Sequence, residues 1–336
     1  MVWRPENPSM SMHVASSVTK SDGVDADDAD DADDVRGLNV CNDHIFGLVN
    51  VGAICWFNSL IQAIMSVPRV VSLIDKKLGT VEQTNDVYNA FGRFIEETQR
   101  VSHKIHNASS ILVALIPLVK NFGHAQEDAQ EGFHLLLDAM PKEVSQLFES
   151  SWCVDLYCDS CRAIVSTHTK EETMSLVIME RDFIPLSLSG DPFVQFMSGH
   201  MMPVLGYKCP KCSKCSRDVT SMSKTMRIVR LVKPANVLVV SFNKYMSKWQ
   251  GPGYSSSIDV EYKNGGRLRE VEGCVPGGIA NYELVAVIRH MGNMHGGHYN
   301  ALCRRGTSIV ALDDANVAEA VWKPCPEDYM LFYARK

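Results

Sequence analysis

The chain has 336 residues, a hydrophobic content of 46% and a formal net charge of −6 at pH 7. This size and apolar fraction suit a folded protein with one large domain or two ordinary ones. We find no apolar run of the ~18 residues that a membrane-spanning helix needs, no signal peptide and no basic patch with interleaved aromatics. We therefore expect no membrane or nucleic-acid partner. Eleven cysteines without a secretion signal indicate a reducing compartment, the cytoplasm or the nucleus.

The first 45 residues differ in composition from the rest of the chain. Residues 22–34 contain eight aspartates, which is more than the whole net charge, and almost no apolar side chain. Such a segment repels itself and has little to bury, so residues 1–45 are predicted to form a disordered acidic tail. An arm that binds a basic partner is the alternative.

Cys55 is predicted to be the first residue of a helix. The apolar residues after it recur at helical spacing, and Pro68 ends the run: Trp56, Leu60, Ile61, Ile64 and Met65. A thiol at a helix N-terminus lies at the positive end of the macrodipole, which favours the reactive thiolate. By itself the pattern fits a nucleophile and a buried core cysteine equally well. A nucleophile requires a base elsewhere in the chain.

The candidate base is His298, on a predicted β-hairpin. Residues 298–304 and 307–314 are typical of strands, and Arg305-Gly306 suits a two-residue turn between them. With that turn, His298 lies directly opposite Asp313, with Cβ atoms about 4.5–5.5 Å apart. A carboxylate in this position orients an imidazole that activates a thiol.

Three alternatives to this pair remain open. A β-bulge in the hairpin would bring Asp314 to the histidine in place of Asp313. His290, at the end of the preceding predicted strand, and His295, in a glycine-rich loop, are the competing bases.

Two Cys-x2-Cys pairs predict a metal site. They are Cys158 with Cys161, and Cys209 with Cys212. Two such pairs can supply the four thiolates of a closed, tetrahedral, structural Zn²⁺ site. Cys215 could replace Cys212 as a ligand. Disulfides or thiols without metal are the alternatives.

The order and spacing of several motifs resemble the ubiquitin-specific proteases, papain-like cysteine deubiquitinases built from a thumb, a palm and fingers. The motifs are residues 47–62, 126–138 and 282–299, the Asp313-Asp314 pair, and residues 329–333. The resemblance runs from about residue 46 to the C-terminus. It implies an α+β fold with a helical thumb (46–150), zinc-knuckle fingers (150–230) and a β-rich palm (231–336).

The resemblance also implies roles for individual residues. Cys55 would be the nucleophile, His298 the general base and Asp313 its orienter. Asn50 matches the residue whose side-chain amide, with the Cys55 N–H, forms the oxyanion hole. Asp128 and Glu131 match positions that bind the basic C-terminal tail of the modifier.

The implied function is hydrolysis of the peptide or isopeptide bond after the C-terminal glycine of ubiquitin, with ubiquitin and ubiquitinated proteins as partners. Three alternatives are activity on another ubiquitin-like modifier such as the interferon-induced one, a non-catalytic ubiquitin-binding module, and a papain-like peptidase for ordinary peptides. Several positions depart from the family pattern, among them Ile54, Trp56, Gly132, Ile309 and Leu312. Trp56 stands where a tyrosine is common, and Gly132 stands where a large apolar residue is usual.

Overall fold

The structure, a computed structural model, describes 11 segments of the chain. They are residues 44–77, 86–101, 104–118, 126–173, 176–179, 200–204, 209–211, 225–243, 254–262, 278–293 and 296–336. All of them belong to one compact unit, Val40–Lys336. The predicted acidic tail, residues 1–45, lies outside the described residues except for its last two positions.

The helices of the described residues all lie between residues 55 and 145. They are α1 (Cys55–Met65), α2 (Pro68–Lys77), α3 (Asp86–Arg100), α4 (Ser109–Leu115), α5 (Ala129–Asp138) and α6 (Lys142–Ser145), with a 3-10 turn at Ile116–Leu118. The helix predicted at Cys55 is present and ends at Met65. Pro68 begins α2, because a proline at the first helical position lacks only an N–H that would have no partner there.

No single described helix is long and apolar enough to cross a membrane. The bent pair Cys55–Met65 and Pro68–Asp75, at 88° to each other, meets the requirement only when both are taken together, by length and composition.

An eight-stranded sheet carries the C-terminal part of the chain. Its strands are β5 (Leu176–Met179), β8 (Val237–Asn243), β9 (Ser257–Tyr262), β10 (Gly278–Asn293), β11 (Gly296–Arg305), β12 (Ser308–Asp313), β13 (Asn316–Ala320) and β14 (Asp328–Arg335). The order is β13-β12-β11-β10-β14-β8-β5, and β9 pairs with β10. Within this sheet the described pairs are antiparallel except β5 with β8, which is parallel. β14, the last described strand in the sequence, therefore lies inside the sheet, between β10 and β8.

Two smaller sheets complete the described strands. A four-stranded sheet has the order β4-β3-β7-β6, formed by β3 (Ser150–Cys158), β4 (Ala163–Thr173), β6 (His200–Val204) and β7 (Thr225–Lys233). It occupies the part of the chain predicted as fingers, although β5 from the same part joins the large sheet. A short parallel pair, β1 (Gly47–Leu48) with β2 (Ile105–His106), lies close to the candidate site.

The large sheet is buried on both faces. Alternate residues of β14 enter different clusters: Phe332 packs with the helices, whereas Leu331 and Tyr333 pack on the opposite side. The helix side has α1 at its centre, and every residue of α1 is buried. This packing explains the nearly continuous apolar runs of the sequence, and the predicted α+β fold is confirmed.

Candidate active site

Cys55 is the first residue of α1 and is 4% exposed. Ile54 occupies the N-cap position and supplies no side-chain hydrogen bond to the helix. The first backbone N–H groups of any helix have no intrahelical acceptor, so the Cys55 N–H is not consumed by the helix itself. The structure therefore places the predicted nucleophile where a backbone donor lies beside its thiol.

His298 and Asp313 are in contact, as predicted. The distance between His298 Nε2 and Asp313 Oδ1 is 2.5 Å, and both side chains are partly exposed. A carboxylate that accepts from Nε2 selects the tautomer protonated there and leaves Nδ1 as the basic nitrogen. The pair therefore has the arrangement that a general base and its orienter require.

The predicted register of the hairpin is wrong by two residues. The turn is Gly306-Thr307, and Arg305 pairs with Ser308, so Asp313 is not directly opposite His298. Gly306 has φ 57° at the first central position of the turn, where glycine is favoured. A shift of two keeps every side chain on its face, because strand side chains alternate with a period of two. His298 and Asp313 therefore still meet, as diagonal neighbours.

The competing histidines do not take this position in the described part of the chain. His290 is buried, and its ring centroid lies 4.3 Å from that of Tyr299. His295 lies outside the described residues. The predicted loop between the two strands is shorter than expected, since β10 continues to Asn293 and β11 begins at Gly296.

Asn50 and Asp314 form a second polar pair near Cys55. Asn50 Nδ2 donates to Asp314 Oδ2 at 2.8 Å, and Asn50 Oδ1 accepts from the Gly52 N–H at 3.0 Å. Asp314 Oδ1 accepts at 2.7 Å from Nδ2 of Asn58, one turn after Cys55 in α1. Asp314 itself has φ 49°, a conformation uncommon for a non-glycine residue. One carboxylate thus fixes the amide of the predicted oxyanion donor and links it to the helix of the nucleophile.

The backbone around this pair is closely packed. The Leu48 N–H donates to the Asp314 carbonyl at 2.8 Å, so β1 runs directly beside the end of β12. A Cβ at Gly47 would lie 2.5 Å from the Ala315 carbonyl oxygen, closer than real Cβ atoms approach. Only glycine permits this approach, which brings Asn50 to Asp314.

Gln126 contacts Cys55, the predicted nucleophile, and Gly297, the residue before the predicted base His298. Its Nε2 lies 3.7 Å from Cys55 Sγ and donates to the Gly297 carbonyl, and its Oε1 accepts from the Gly297 N–H at 3.0 Å. The sequence motif contains Gln126, but no role was predicted for it. No sequence signal distinguishes it, because its partners are backbone groups 171 residues away.

The two residues predicted to bind a basic tail differ in their surroundings. Asp128 is the N-cap of α5: its Oδ1 accepts from the backbone N–H groups of Gln130 and Glu131, and its Oδ2 accepts from Tyr329 at 2.7 Å. Tyr299 lies at 3.5 Å from the same Oδ2. The carboxylate of Asp128 is therefore held within the protein.

Glu131 is exposed, and its side chain makes no hydrogen bond or ion pair with another described residue. Partial loss of solvent around the Glu131 carboxyl raises its pKa although the residue is exposed, and the negative charges of Glu127 and Asp128 raise that pKa further. A bound cation would relieve this repulsion. Of the two predicted residues, Glu131 is the one available to a basic ligand.

Three of the four predicted metal ligands lie together. The thiols of Cys158, Cys161 and Cys209 are within 4.8 Å of one another, and Cys161 Sγ is 3.8 Å from Cys209 Sγ. Two thiolates bound to one tetrahedral Zn²⁺ at ~2.3 Å lie about 3.8 Å apart, so this spacing fits the ion. Cys212 and its possible substitute Cys215 lie outside the described residues. The cluster can hold a metal ion with three thiolates.

Two of the departures from the family pattern, Trp56 and Gly132, are in contact. Gly132 of α5 faces Trp56 of α1: a Cβ on Gly132 would lie 3.0 Å from Trp56 Cε3 and closer still to Cζ3. Trp56 is fully buried. The large ring on one helix thus fills the space that a large side chain on the other would occupy.

The fold is similar to that of known deubiquitinating enzymes. A SAGA Ubp8/Sgf11/Sus1/Sgf73 DUB module bound to ubiquitin aldehyde matches with a TM-score of 0.63 at 18% identity, over 88% of this chain and 70% of the matched one. The same module bound to monoubiquitin matches with a TM-score of 0.63 at 17% identity and the same coverage. At this identity the likeness concerns the fold.

Sequence comparison identifies relatives and a family. Ubiquitin carboxyl-terminal hydrolase 36 of Drosophila virilis is 23% identical over 324 residues, and that of Drosophila melanogaster is 24% identical over 321. The match covers 85% of this chain but only 25% and 29% of those proteins, so the chain spans about a quarter of their length. The model of the ubiquitin carboxyl-terminal hydrolase family matches residues 46–333, and the chain therefore belongs to this family.

Proposed function

We propose that the chain is a thiol-dependent deubiquitinase that hydrolyses the peptide or isopeptide bond after the C-terminal glycine of ubiquitin. The observation that carries the proposal is the His298–Asp313 pair in a family member whose Cys55 begins a buried helix. The Ubp8-containing modules of similar fold are bound to ubiquitin aldehyde and to monoubiquitin, which supports ubiquitin as the partner of this chain.

The proposed reaction follows from the positions of these groups. His298 Nδ1 takes the proton of the Cys55 thiol, and the thiolate attacks the glycine carbonyl. The Cys55 N–H and the Asn50 amide donate to the oxyanion that forms. Asn50 Nδ2 carries two hydrogens, and its bond to Asp314 uses one of them. His298 then protonates the departing amine, and water releases the acyl group from Cys55.

The proposed contact with the modifier's basic tail is made by Glu131. Its pKa is raised by partial loss of solvent and by neighbouring carboxylates, so a positive charge there is favourable. Asp128 supports the same region indirectly, because it caps α5 and binds Tyr329. We also propose that the cysteine cluster holds a structural Zn²⁺ completed by Cys212, and that the enzyme works in the reducing cytoplasm or nucleus.

The proposal is tested with electrophilic probes built on ubiquitin and on ubiquitin-like modifiers. We expect the ubiquitin probe to label the wild-type protein and Cys153→Ala, a control at another buried cysteine, but not Cys55→Ala. If only a probe built on another modifier labels the protein, that modifier is the substrate in place of ubiquitin. A wild-type protein that binds ubiquitin but reacts with no probe would be a binding module, and the enzyme proposal would be wrong.

A further inference from the structure

We propose that Gln126 is a positioning residue for the Cys55–His298 pair: its side-chain amide fixes the backbone that carries the base and donates towards the thiol. This inference rests on the proposed function, because it concerns the same nucleophile and base. Gln126 precedes α5, whereas Cys55 begins α1 and His298 lies on β11. Gln126 is thus a separate part of the chain that contacts the segments of both groups.

The segment around His298 is held on both sides by residues only two positions apart. Gln126 binds Gly297, the residue before His298, through both of its backbone groups. Asp128 approaches the hydroxyl of Tyr299, the residue after His298, at 3.5 Å. The base therefore lies between two contacts from one short segment, which limits how far its backbone can move relative to α5.

A primary amide is the side chain that this clamp requires. It offers a donor and an acceptor side by side, which match the carbonyl and the N–H of one backbone residue. A glutamate of the same size can only accept when ionised, so it would repel the Gly297 carbonyl. Gly297 is needed as well, because a Cβ there would collide with His290 Nε2 and the Met291 carbonyl oxygen.

The contact with the nucleophile adds a second effect. Gln126 Nε2 lies 3.7 Å from Cys55 Sγ, within the range for a donor to sulfur. A hydrogen-bond donor stabilises an ionised acceptor more than a neutral one. The amide is therefore expected to favour the thiolate over the thiol. Removing it should make Cys55 less reactive at neutral pH.

The test compares Gln126→Ala and the isosteric Gln126→Glu with wild type and with Gln130→Ala, a matched control on α5. With a fluorogenic ubiquitin substrate, we expect both Gln126 variants to lower kcat about 10- to 100-fold and to change KM by less than about twofold. The rate at which iodoacetamide alkylates Cys55 at pH 7 should fall about three- to tenfold in both variants. Gln130→Ala should match wild type in both measurements.

The alkylation measurement separates this inference from the proposed function, since it needs no ubiquitin. If wild type fails with every modifier substrate, the change in the alkylation rate of Cys55 still decides the role of Gln126. Variants with wild-type kcat and an unchanged alkylation rate would overturn the inference. So would a higher kcat/KM in Gln126→Ala, which would make Gln126 an obstacle to substrate. Gln126→Glu keeps the size of the side chain, so a loss of kcat in this variant cannot be explained by a cavity that unfolds the protein.

Discussion

At the scale of single residues, two adjacent aspartates of the candidate site bind different side chains. Asp313 accepts from His298 and orients the base. Asp314 accepts from Asn50 and Asn58, and its left-handed φ of 49° points its carboxylate away from the direction that β12 would give it. In the proposed mechanism, Asp314 therefore holds the oxyanion donor Asn50, whereas Asp313 orients the base His298.

This division predicts how Asp314→Ala combines with Asn50→Ala. We expect Asn50→Ala to lower kcat by about 100-fold, as the loss of one oxyanion donor does elsewhere. Asp314→Ala should lower kcat about 10-fold, and the double variant should be no worse than Asn50→Ala, because Asp314 acts through Asn50. Asp313→Ala should cost more than Asp314→Ala. Steady-state kinetics with a ubiquitin substrate measure all four, and additive losses would show that Asp314 has an independent role.

The residues of the site were predictable to different degrees. His298 and Asp313 could be paired from a hairpin count, and the pair survived a register error because an even shift preserves the face. The contact between Asn50 and Asp314 could not be predicted in this way. It depends on a strained backbone at Asp314 and on the close approach of β1, which no local pattern shows.

At the scale of elements, the position of α1 depends on how it packs against α5. Trp56 is fully buried and lies over Gly132. Each residue alone departs from the family pattern, and glycine within a helix is unfavourable by about 1 kcal/mol relative to alanine. Periodicity predicted the helix at Cys55, and the family resemblance implied the helix that contains Gly132, but neither indicated that Trp56 and Gly132 face each other. Which side chains of two helices face each other is decided by how the helices pack, not by the sequence of either helix alone.

This contact predicts that Gly132→Ala destabilises the protein although alanine favours helices. The added methyl overlaps the Trp56 ring, and such overpacking costs about 1–3 kcal/mol, which exceeds the gain of about 1 kcal/mol in helix propensity. Urea unfolding should show a net loss of up to about 2 kcal/mol. Trp56→Tyr in the Gly132→Ala background should recover part of that loss.

Gln130→Ala on the same helix controls for propensity alone and should change the free energy of unfolding by less than about 0.5 kcal/mol. If Gly132→Ala were instead more stable than wild type, the Trp56 ring would have to move freely, contrary to its burial. Because α1 carries Cys55, the same variants should also be assayed for activity at a temperature where they remain folded.

At the scale of the whole molecule, the site is assembled from distant parts of the chain. Cys55 and His298 are 243 positions apart in the sequence, and the sheet order β13-β12-β11-β10-β14-β8-β5 places the last strand in the middle. The ordered motifs of the family predicted the fold class, which the structure confirms. The strand order and the transfer of β5 to the large sheet follow from long-range packing and had no local signature.

The cysteine cluster lies at the end of β3 in the four-stranded sheet, whereas the candidate catalytic residues lie on α1 and the large sheet. Cys158 ends β3, and Cys209 is buried beside it. Thiolates brought this close repel one another without a cation, so metal binding and folding of this sheet should be coupled. The proposed catalysis at Cys55 uses no metal-bound water, so the effect of metal loss on activity should be indirect.

We expect elemental analysis of the purified protein to find about one zinc per chain, as a four-thiolate structural site requires. Chelation, or Cys158→Ser with Cys209→Ser, should remove the zinc and lower the unfolding temperature. Cys153→Ser on the same strand, outside the cluster, should do neither. Iodoacetamide should still alkylate Cys55 in the metal-free protein below its unfolding temperature. A stable native protein without metal would contradict the zinc site, and a direct loss of Cys55 reactivity would contradict a purely structural role for the ion.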